Sequence, residues 1–384
     1  MPSGFETTSL VKYQIDAKLY EDTKLAFIID DFTLSHKLRT PCKTMWWAIV
    51  NRKNLYDVFS IPKASGGTRE IRAPSPYLKR LQYRMYSKVL RPMHTDMLRH
   101  VTAYRKGIGT KTAVMQHLYA CPVCDATPPG ETAKSHACPR MGTFIKMDLK
   151  DFFHTTRKWW IDEYLISVGY GPYVSDLMSV LMTIPGLPHP RDANKKITGV
   201  PQGSPTSGAI CNLVAAQRLD PKILAHLEKL NTLYELEDGW GWRYTRYADD
   251  LAITCGKNVP PYAVAATLYS LKRIIQESGY ILNKKKTKVK KRKQRKRLLG
   301  LVFNQKINIV REDYLALRAT VHNCLVHGFE SQSIRAEYDN PGRFYSWLNG
   351  KINYVKHIHP AHGEKLAAVL AQAVELHKPN WSNE

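Results

Sequence analysis

The chain has 384 residues, of which 43% are hydrophobic and 23% are charged, a balance typical of folded globular proteins and unlike that of disordered or fibrous ones. A chain of this length can bury a sizeable core and favours two or three packed subdomains. The sequence contains no run of about 18 uncharged apolar residues, and it does not open with a basic segment followed by an apolar one. We therefore expect a cytoplasmic protein with no membrane partner.

The net charge of +24 at pH 7 favours a polyanionic partner, because such a surface concentrates phosphate groups around it. The positive charge is clustered, since residues 284–297 hold eleven lysines and arginines in fourteen positions. An anionic membrane surface would attract the same run, but the run lacks the apolar face of a membrane-binding helix. The charge therefore indicates a nucleic acid as the partner.

The first part of the chain has a helical pattern followed by a hairpin pattern. Apolar residues at spacings of three and four predict an N-terminal helical segment over residues 1–55. Tyr56–Pro62 and Arg69–Pro74 have strand character and flank the turn residues Ser65–Thr68, which predicts a basic β-hairpin. Helical periodicity in residues 76–97 predicts a helix packed beneath this hairpin.

The cysteines allow two interpretations. Seven is an odd number in a chain without an export signal, which argues against a disulfide framework. Cys121, Cys124, His136 and Cys138 stand in an insertion at residues 119–140, where a Cys-x-x-Cys pair with two further soft ligands can close a tetrahedral zinc site. The His-x-Cys spacing is tighter than zinc sites commonly have. The insertion is therefore either a structural Zn²⁺ loop or a segment with reduced surface thiols.

Three carboxylates end or interrupt short apolar strands. Residues 143–149 have a strand pattern that ends on Asp148, and residues 246–254 have a second one that is interrupted by Asp249 and Asp250. In a straight strand, one of two adjacent acids would point into the core at a large cost in free energy, so we predict a tight turn at this pair. The turn would let all three carboxylates face one cleft, which suits Mg²⁺. The alternative is an ordinary exposed Asp-Asp turn.

Further motifs give this arrangement a family resemblance. Tyr247–Asp250 follows the strand that ends on Asp148, and Val200–Gly208 between them contains Gln-Gly-Ser-Pro. In this order the motifs resemble those of the reverse transcriptase palm, and the resemblance covers residues 57–360. It implies an α+β fold, the right-hand polymerase, with fingers, a palm of antiparallel sheet and helices, and a helical thumb. The implied boundaries are fingers at 56–142 with the Cys/His insertion at 119–140, palm at 143–297, primer-grip hairpin at 298–310 and thumb at 311–384.

The resemblance also implies a catalytic centre. Asp148, Asp249 and Asp250 would bind two Mg²⁺ ions, and the backbone of Leu149 is a further candidate ligand. Lys286 stands directly before a threonine in a segment that resembles the next family motif. This position makes Lys286 a candidate general acid that protonates the leaving pyrophosphate.

The resemblance implies a binding site for the incoming deoxynucleotide. Arginines on the basic hairpin would bind the triphosphate, because arginine presents a planar fork to phosphate oxygens. Phe153 would be a steric gate that leaves no room for a 2′-hydroxyl, and it is otherwise an ordinary core phenylalanine. Gly203 would let a base pair approach closely, while Pro205 would open one helix and Asp151 would cap another. The implied substrate-binding residues are Lys63, Arg69, Arg72, Phe153, Gln202, Gly203 and Tyr247.

Within the family, Leu348–Val355 is similar to a thumb motif of bacterial retron reverse transcriptases. The resemblance implies that the chain copies a partner non-coding RNA into DNA, acts in anti-phage defence and works with a co-encoded effector protein. Two segments depart from the retron pattern: Thr112–His117 lacks the usual asparagine, and Leu298–Gly300 stands in place of Val-Thr-Gly. The alternatives are another bacterial defence or group II-like reverse transcriptase, and a catalytically silent RNA-binding scaffold.

Overall fold

The computed structural model of the chain describes residues 25–63, 66–95, 99–119, 142–236, 241–256, 259–304 and 306–379. The chain divides into two compact units, one built from Met1–Gly109 and Gly142–Val289 and the other from Thr110–Met141 and Lys290–Glu384. The predicted zinc ligands Cys121, Cys124, His136 and Cys138 lie outside the described residues. The choice between a zinc loop and free thiols therefore stays a prediction.

The first unit begins with two helices, α1 (Asp31–Lys37) and α2 (Cys42–Asn51), in the segment where the apolar spacing predicts helices. A capping box starts α1, because the Asp30 carboxylate accepts a backbone hydrogen bond from the first turn. The indole N–H of Trp46 donates to the carboxylate of Asp31 at 2.8 Å. This hydrogen bond joins the two helices.

The basic hairpin predicted from the turn residues is present. β1 (Tyr56–Pro62) and β2 (Thr68–Pro74) pair antiparallel along their whole length. Most β1 side chains are exposed, as expected for a two-stranded ribbon with no second sheet to pack against. α3 (Pro76–Met85) follows and continues through a π-helical turn, Tyr86–Leu90, into α4 (Arg91–Thr95).

A four-stranded sheet carries the acidic residues. Its members are β3 (Thr143–Asp148), β6 (Trp242–Tyr247), β7 (Asp250–Cys255) and β8 (Lys288–Lys290), in the spatial order β6–β7–β3–β8. The β3–β7 and β6–β7 pairs are antiparallel. Their register places Asp148 directly opposite Asp250, so the end of one strand meets the start of another at the acidic turn.

Helices and a short hairpin complete the first unit. Apolar side chains of these helices and of the four-stranded sheet form one buried core. The remaining elements are α6 (Phe152–Thr155), α7 (Lys158–Ser167), α8 (Pro172–Met182), β4 (Ile184–His189), β5 (Asp192–Gly199), α9 (Ser207–Arg218), α10 (Asp220–Leu233) and α11 (Pro261–Glu277).

The second unit has a core of its own. α5 (Thr110–Met115) precedes a three-stranded antiparallel sheet made of β9 (Arg297–Leu298), β10 (Leu301–Phe303) and β11 (Ile307–Ile309). Three long helices follow, and their apolar faces form the core. These helices are α12 (Arg311–Arg335, interrupted at Gly328), α13 (Pro341–Ile358) and α14 (Pro360–His377). None of the helices in the described ranges is long and apolar enough to cross a membrane.

One prediction about a helix start is wrong, and a second is confirmed in position but without the capping hydrogen bond. α9 begins at Ser207 with Thr206 in the N-cap position, so Pro205 precedes the helix and does not open it. Asp151 occupies the N-cap position of α6, but its side chain makes no capping hydrogen bond. The reason is its left-handed backbone, with a φ of 50°, whereas a capping side chain needs an extended residue to reach the N–H groups of the first turn.

A buried ion pair anchors the strand that leads to the acidic turn. Arg246 in β6 is fully buried, and its guanidinium donates to the two carboxylate oxygens of Asp220 at 2.9 and 2.8 Å. The Tyr244 hydroxyl donates to the same carboxylate at 2.8 Å, and Arg246 also donates to the side-chain oxygen of Asn212 at 2.7 Å. Because both buried charges are paired and hydrogen-bonded, β6 is held against α9 and α10.

We expect Asp220→Ala to lower the free energy of unfolding by about 3–5 kcal/mol, because it leaves the Arg246 guanidinium buried without a counter-charge. Denaturant-induced unfolding measures this change. The matched control is Glu277→Ala, which removes an exposed ion pair with Arg273 and should cost about 0–1 kcal/mol. Equal losses in the two variants would contradict the anchoring role.

Candidate active site

The turn between β6 and β7 consists of Ala248 and Asp249 and presents the acidic pair. Ala248 has a φ of 54°, in the left-handed region that non-glycine residues rarely adopt. A conformation of this kind costs on the order of 1 kcal/mol and persists only where neighbouring contacts fix it. One such contact is the N–H of Leu149, which donates to the Asp249 carbonyl at 2.9 Å. The tight turn predicted from the sequence is therefore present.

Asp148 stands at the end of β3 with 4% of its surface exposed. The side-chain amide of Asn283 donates to one of its oxygens at 3.1 Å, and the Lys286 ammonium donates to the other at 2.9 Å. Lys286 reaches this position because a single 3₁₀ turn, Lys284–Lys286, follows Asn283. The hydrogen bond to Asp148 raises the pKa of Lys286, so its amine is held in the charged form.

Asp250 has a lysine partner that the sequence did not reveal. The Lys146 ammonium lies 2.8 Å from an oxygen of Asp250. Lys146 and Asp148 are two residues apart in β3 and therefore point to the same face of the sheet. The alternation along β3 was the available signal, but the partner on β7 becomes evident only from the strand register.

Asp249 lies in surroundings that disfavour its charged form. Burial, followed by the negative charges of Asp250 and Asp148, raises its pKa to about 6. The carboxylates are therefore close enough to repel one another. A cation placed among them would relieve this repulsion.

The three acids fit a metal ion by chemistry. In the part of the chain that the structure describes, no three His, Cys, Asp or Glu side chains stand as a ready-made metal cage. The ammonium groups of Lys286 and Lys146 instead bind two of the three carboxylates. Both lysines show that these oxygens attract cations, and an all-oxygen donor set suits a hard divalent ion. Metal binding would require the side chains to turn from the lysines toward a shared ion.

Aromatic rings line the side of the acidic turn where Phe153 lies. Phe153 is half-buried and meets the ring of Tyr104 edge-on, with 6.4 Å between centroids. Burial first, and then neighbouring groups that include Asp249, raise the pKa of Tyr104 to about 12. A Cβ atom on Gly208 would stand 2.6 Å from the Tyr104 ring, so glycine is needed there. Tyr104 was not predicted from the sequence, because its position depends on the long-range contact with Gly208.

The hairpin and the Gln-Gly-Ser-Pro segment are joined through their backbones. The Arg72 N–H donates to the Gln202 carbonyl at 2.8 Å. Gly203 has a φ of 128°, and a Cβ on it would stand 2.8 Å from the Arg72 carbonyl oxygen. Gly203 therefore has a structural role against β2, while its role beside a base pair stays a prediction. The Arg72 guanidinium binds Glu70 at 2.8 Å.

Lys63, Arg69 and Tyr247 are further implied nucleotide ligands, and they lie on the hairpin and at the end of β6. Lys63 and Arg69 are exposed on the hairpin, and the charge of Arg69 acts on Tyr104. Tyr247 lies at the end of β6, opposite Asp250. The structure thus brings Asp148, Asp249, Asp250 and Lys286 together, whereas the phosphate-binding roles of the hairpin residues stay predictions.

Comparison with known proteins assigns the family. The profile of the reverse transcriptase (RNA-dependent DNA polymerase) family matches residues 61–303. The chain belongs to this family, and the predicted α+β right-hand polymerase class is confirmed.

Retron reverse transcriptases are among the curated relatives, in agreement with the resemblance predicted from the sequence. The chain is 31% identical to the retron Mx65 reverse transcriptase of Myxococcus xanthus over 321 residues, or 81% of this chain. It is 27% identical to the retron Mx162 reverse transcriptase of the same organism over 360 residues, or 87% of this chain. The matches span 63% and 64% of those two relatives.

A solved structure of telomerase from Candida albicans, with a TWJ fragment of telomeric RNA, matches 85% of this chain and 61% of that chain. Its sequence identity is 13% and its TM-score is 0.42. A likeness at this level adds nothing to the family assignment.

We expect Asp249→Asn to stabilise the metal-free protein at pH 8 by about 1–3 kcal/mol. The folded-state pKa of Asp249 is raised to about 6, so its favourable contribution is complete below its ordinary pKa and is lost as the pH rises through 6. Asparagine cannot ionise and avoids that loss. Chemical denaturation in a chelator, at pH 8 and pH 4.5, measures the difference.

The control for this prediction is Asp57→Asn, which makes the same chemical change on an exposed strand and should alter stability by less than about 0.5 kcal/mol. The gain in Asp249→Asn should shrink to about a third at pH 4.5, which lies between the ordinary pKa of the carboxyl and its raised folded-state value. A gain at pH 4.5 as large as the gain at pH 8, or no gain at pH 8, would show that the surroundings of Asp249 do not raise its pKa as inferred.

Proposed function

We propose that the chain is an RNA-directed DNA polymerase of the retron type. The observation that carries the proposal is the meeting of Asp148, Asp249 and Asp250 where β3 ends and β7 begins. A protein that only binds RNA gains nothing from three mutually repelling carboxylates. Nucleotidyl transfer, in contrast, needs divalent ions held at the reacting phosphate.

In this proposal, Asp148, Asp249 and Asp250 hold two Mg²⁺ ions, with the Leu149 backbone as a further ligand. When bound, the ions would activate the attacking hydroxyl and stabilise the leaving pyrophosphate. Lys286 supplies the proton for the leaving group, because its amine is charged and lies at the edge of the acidic cluster.

The incoming deoxynucleotide is bound by the hairpin and by residues of the Gln-Gly-Ser-Pro segment and the acidic turn near Phe153. Lys63, Arg69 and Arg72 bind the triphosphate, for which Arg72 must leave Glu70. Gln202 and Gly203 lie along the nucleotide pair. Phe153 and Tyr247 flank the sugar, and the edge-on packing of Tyr104 fixes the Phe153 ring against the 2′ position.

The retron assignment is supported by the two Myxococcus xanthus relatives, both named as retron reverse transcriptases. By this assignment, the template is a partner non-coding RNA, the product is DNA attached to it, and the biological role is anti-phage defence with a co-encoded effector. Sequencing the nucleic acid that co-purifies with the expressed protein separates this reading from a non-retron reverse transcriptase. A covalently branched RNA–DNA molecule supports the retron type, and its absence from an active preparation contradicts it.

We expect the purified protein to extend a DNA primer on an RNA template with Mg²⁺ and four deoxynucleotides. Asp249→Ala should lower the rate by on the order of 10³-fold, because it removes charge stabilisation at the reacting phosphate. Asp151→Ala, a neighbouring acid that we assign no metal, should retain activity. An inactive wild type would favour the silent RNA-binding scaffold, and an Asp249→Ala variant as active as the wild type would contradict the catalytic role of Asp249.

We expect Phe153→Ala to reduce the preference for deoxynucleotides over ribonucleotides by about 10- to 200-fold, because a vacated ring admits the 2′-hydroxyl. The ratio of kcat/KM for the two substrates measures the effect. Phe344→Leu is the control, since Phe344 is buried in the core of the second unit and should leave the ratio unchanged. If an active Phe153→Ala keeps the wild-type ratio, Phe153 is an ordinary core residue.

A further inference from the structure

The basic run in residues 284–297 contains a closed turn, which we name the basic loop and define as Lys291–Gln294. The N–H of Gln294 donates to the Lys291 carbonyl at 3.1 Å, and the side chain of Gln294 accepts from the Lys291 N–H at 2.9 Å. These two hydrogen bonds close the loop on itself. Arg292 and Lys293 occupy the central turn positions.

A buried lysine fills the inside of the basic loop. Lys296 is 1% exposed, and its ammonium donates to the carbonyls of Lys291, Arg292 and Gln294 at 3.1, 2.9 and 3.3 Å. An ammonium has three donors, and all three are satisfied here. The three carbonyls point inward to this charge, and their hydrogen bonds hold the loop in its closed shape. These carbonyl oxygens therefore do not face an anion that binds outside the loop.

The base of the basic loop is fixed at a second place. The N–H of Phe303 in β10 donates to the Lys296 carbonyl at 3.1 Å. Arg295 makes a two-pronged ion pair with Glu312 at 3.0 and 3.1 Å, and Arg297 lies 3.5 Å from the same carboxylate. These cations are therefore engaged in holding the loop to the start of α12.

Three cations of the basic loop are left for an external partner. The side chains of Lys291, Arg292 and Lys293 are exposed and make no ion pair with any residue that the structure describes. They are consecutive, so a rigid loop projects them together. We propose that the basic loop is a preformed binding site for the phosphodiester backbone of a nucleic-acid duplex, separate from the catalytic carboxylates.

The chemistry of the basic loop favours a nucleic acid over a membrane surface. Residues 290–296 are all lysine, arginine or glutamine, so the loop offers no apolar side chain to enter a bilayer. Contacts from lysine and arginine to phosphates carry little base information, and they position a duplex without reading its sequence. The inference does not depend on polymerase activity, since binding can be measured without nucleotides.

The test is the salt dependence of binding to a blunt, sequence-scrambled duplex of about two helical turns. Fluorescence anisotropy compares the wild type with K291Q/R292Q/K293Q between 50 and 200 mM salt. Losing three phosphate contacts should reduce the slope of log affinity against log salt by about 2–3. Over this range the wild type should therefore lose ~16- to 64-fold more affinity than the variant.

The matched control is K222Q/K229Q/K272Q, which removes the same charge from exposed positions on α10 and α11. We expect its slope to change by less than about 1. If both triple variants change the slope equally, net charge alone explains the binding and the proposal is overturned. The proposal also fails if the loop variant behaves as the wild type.

Lys296→Met separates the shape of the basic loop from its charge. This variant keeps all three exposed cations but removes the ammonium that organises the carbonyls. We expect its affinity at 200 mM salt to fall toward that of the triple variant. Far-UV circular dichroism would check that the variant is folded. Wild-type affinity in a folded Lys296→Met protein would overturn the claim that the site is preformed.

Three probes of the same sequence identify the source of the phosphates: an RNA duplex, an RNA–DNA hybrid and a DNA duplex. A reduced salt slope with at least one of them supports the site, and the probe with the largest reduction identifies the partner. Unchanged slopes with all three would overturn it. Binding that fails here while primer extension succeeds would leave the proposed function intact and remove only this inference.

Discussion

The convergence of Asp148, Asp249 and Asp250 on one turn is the constraint on which the rest of the site depends. The register of β3 against β7 forces two of these carboxylates to face each other, and a strained two-residue turn adds the third. The protein holds this arrangement by means of other interactions. Lys286 and Lys146 each bind one carboxylate, while burial, followed by the charges of Asp250 and Asp148, raises the pKa of Asp249.

The scaffold must resist this repulsion without relaxing. Arg246 lies two residues before the acidic turn, and its buried pair with Asp220 fixes β6 to the helices behind it. Leu149 fixes the other side by its hydrogen bond to the Asp249 carbonyl. A site that stays strained and negatively charged when empty is suited to bind cations tightly, because the binding of a cation relieves the strain.

Local chemistry explains which features could be predicted from sequence. The glycine turn predicted the β1–β2 hairpin, and two adjacent acids in an apolar strand predicted the β6–β7 turn, because both depend on neighbours in the chain. The roles of Lys146 and Tyr104 could not be predicted from the sequence, because their contact partners are distant in the chain. Pro205 was misplaced by two residues, since Thr206 was an equally good helix start.

The basic run illustrates the same limit. In the sequence its eleven cations are equivalent, but the fold gives them different tasks: Lys286 binds Asp148, Lys296 fills the basic loop, and Arg295 binds Glu312. Composition predicts a polyanionic partner but does not say which cations would bind it. Only the tertiary contacts separate the cations that stabilise the protein from those that remain available.

The central claim, that the three carboxylates form a metal centre, is tested most directly by electron paramagnetic resonance of Mn²⁺. The sample contains RNA template, a primer ending in a dideoxynucleotide and the next deoxynucleotide. We expect the wild type and Asp57→Asn to bind about two Mn²⁺ ions tightly. Asp148→Asn and Asp249→Asn should each lose tight binding. Wild-type Mn²⁺ binding in both of these variants would contradict the account.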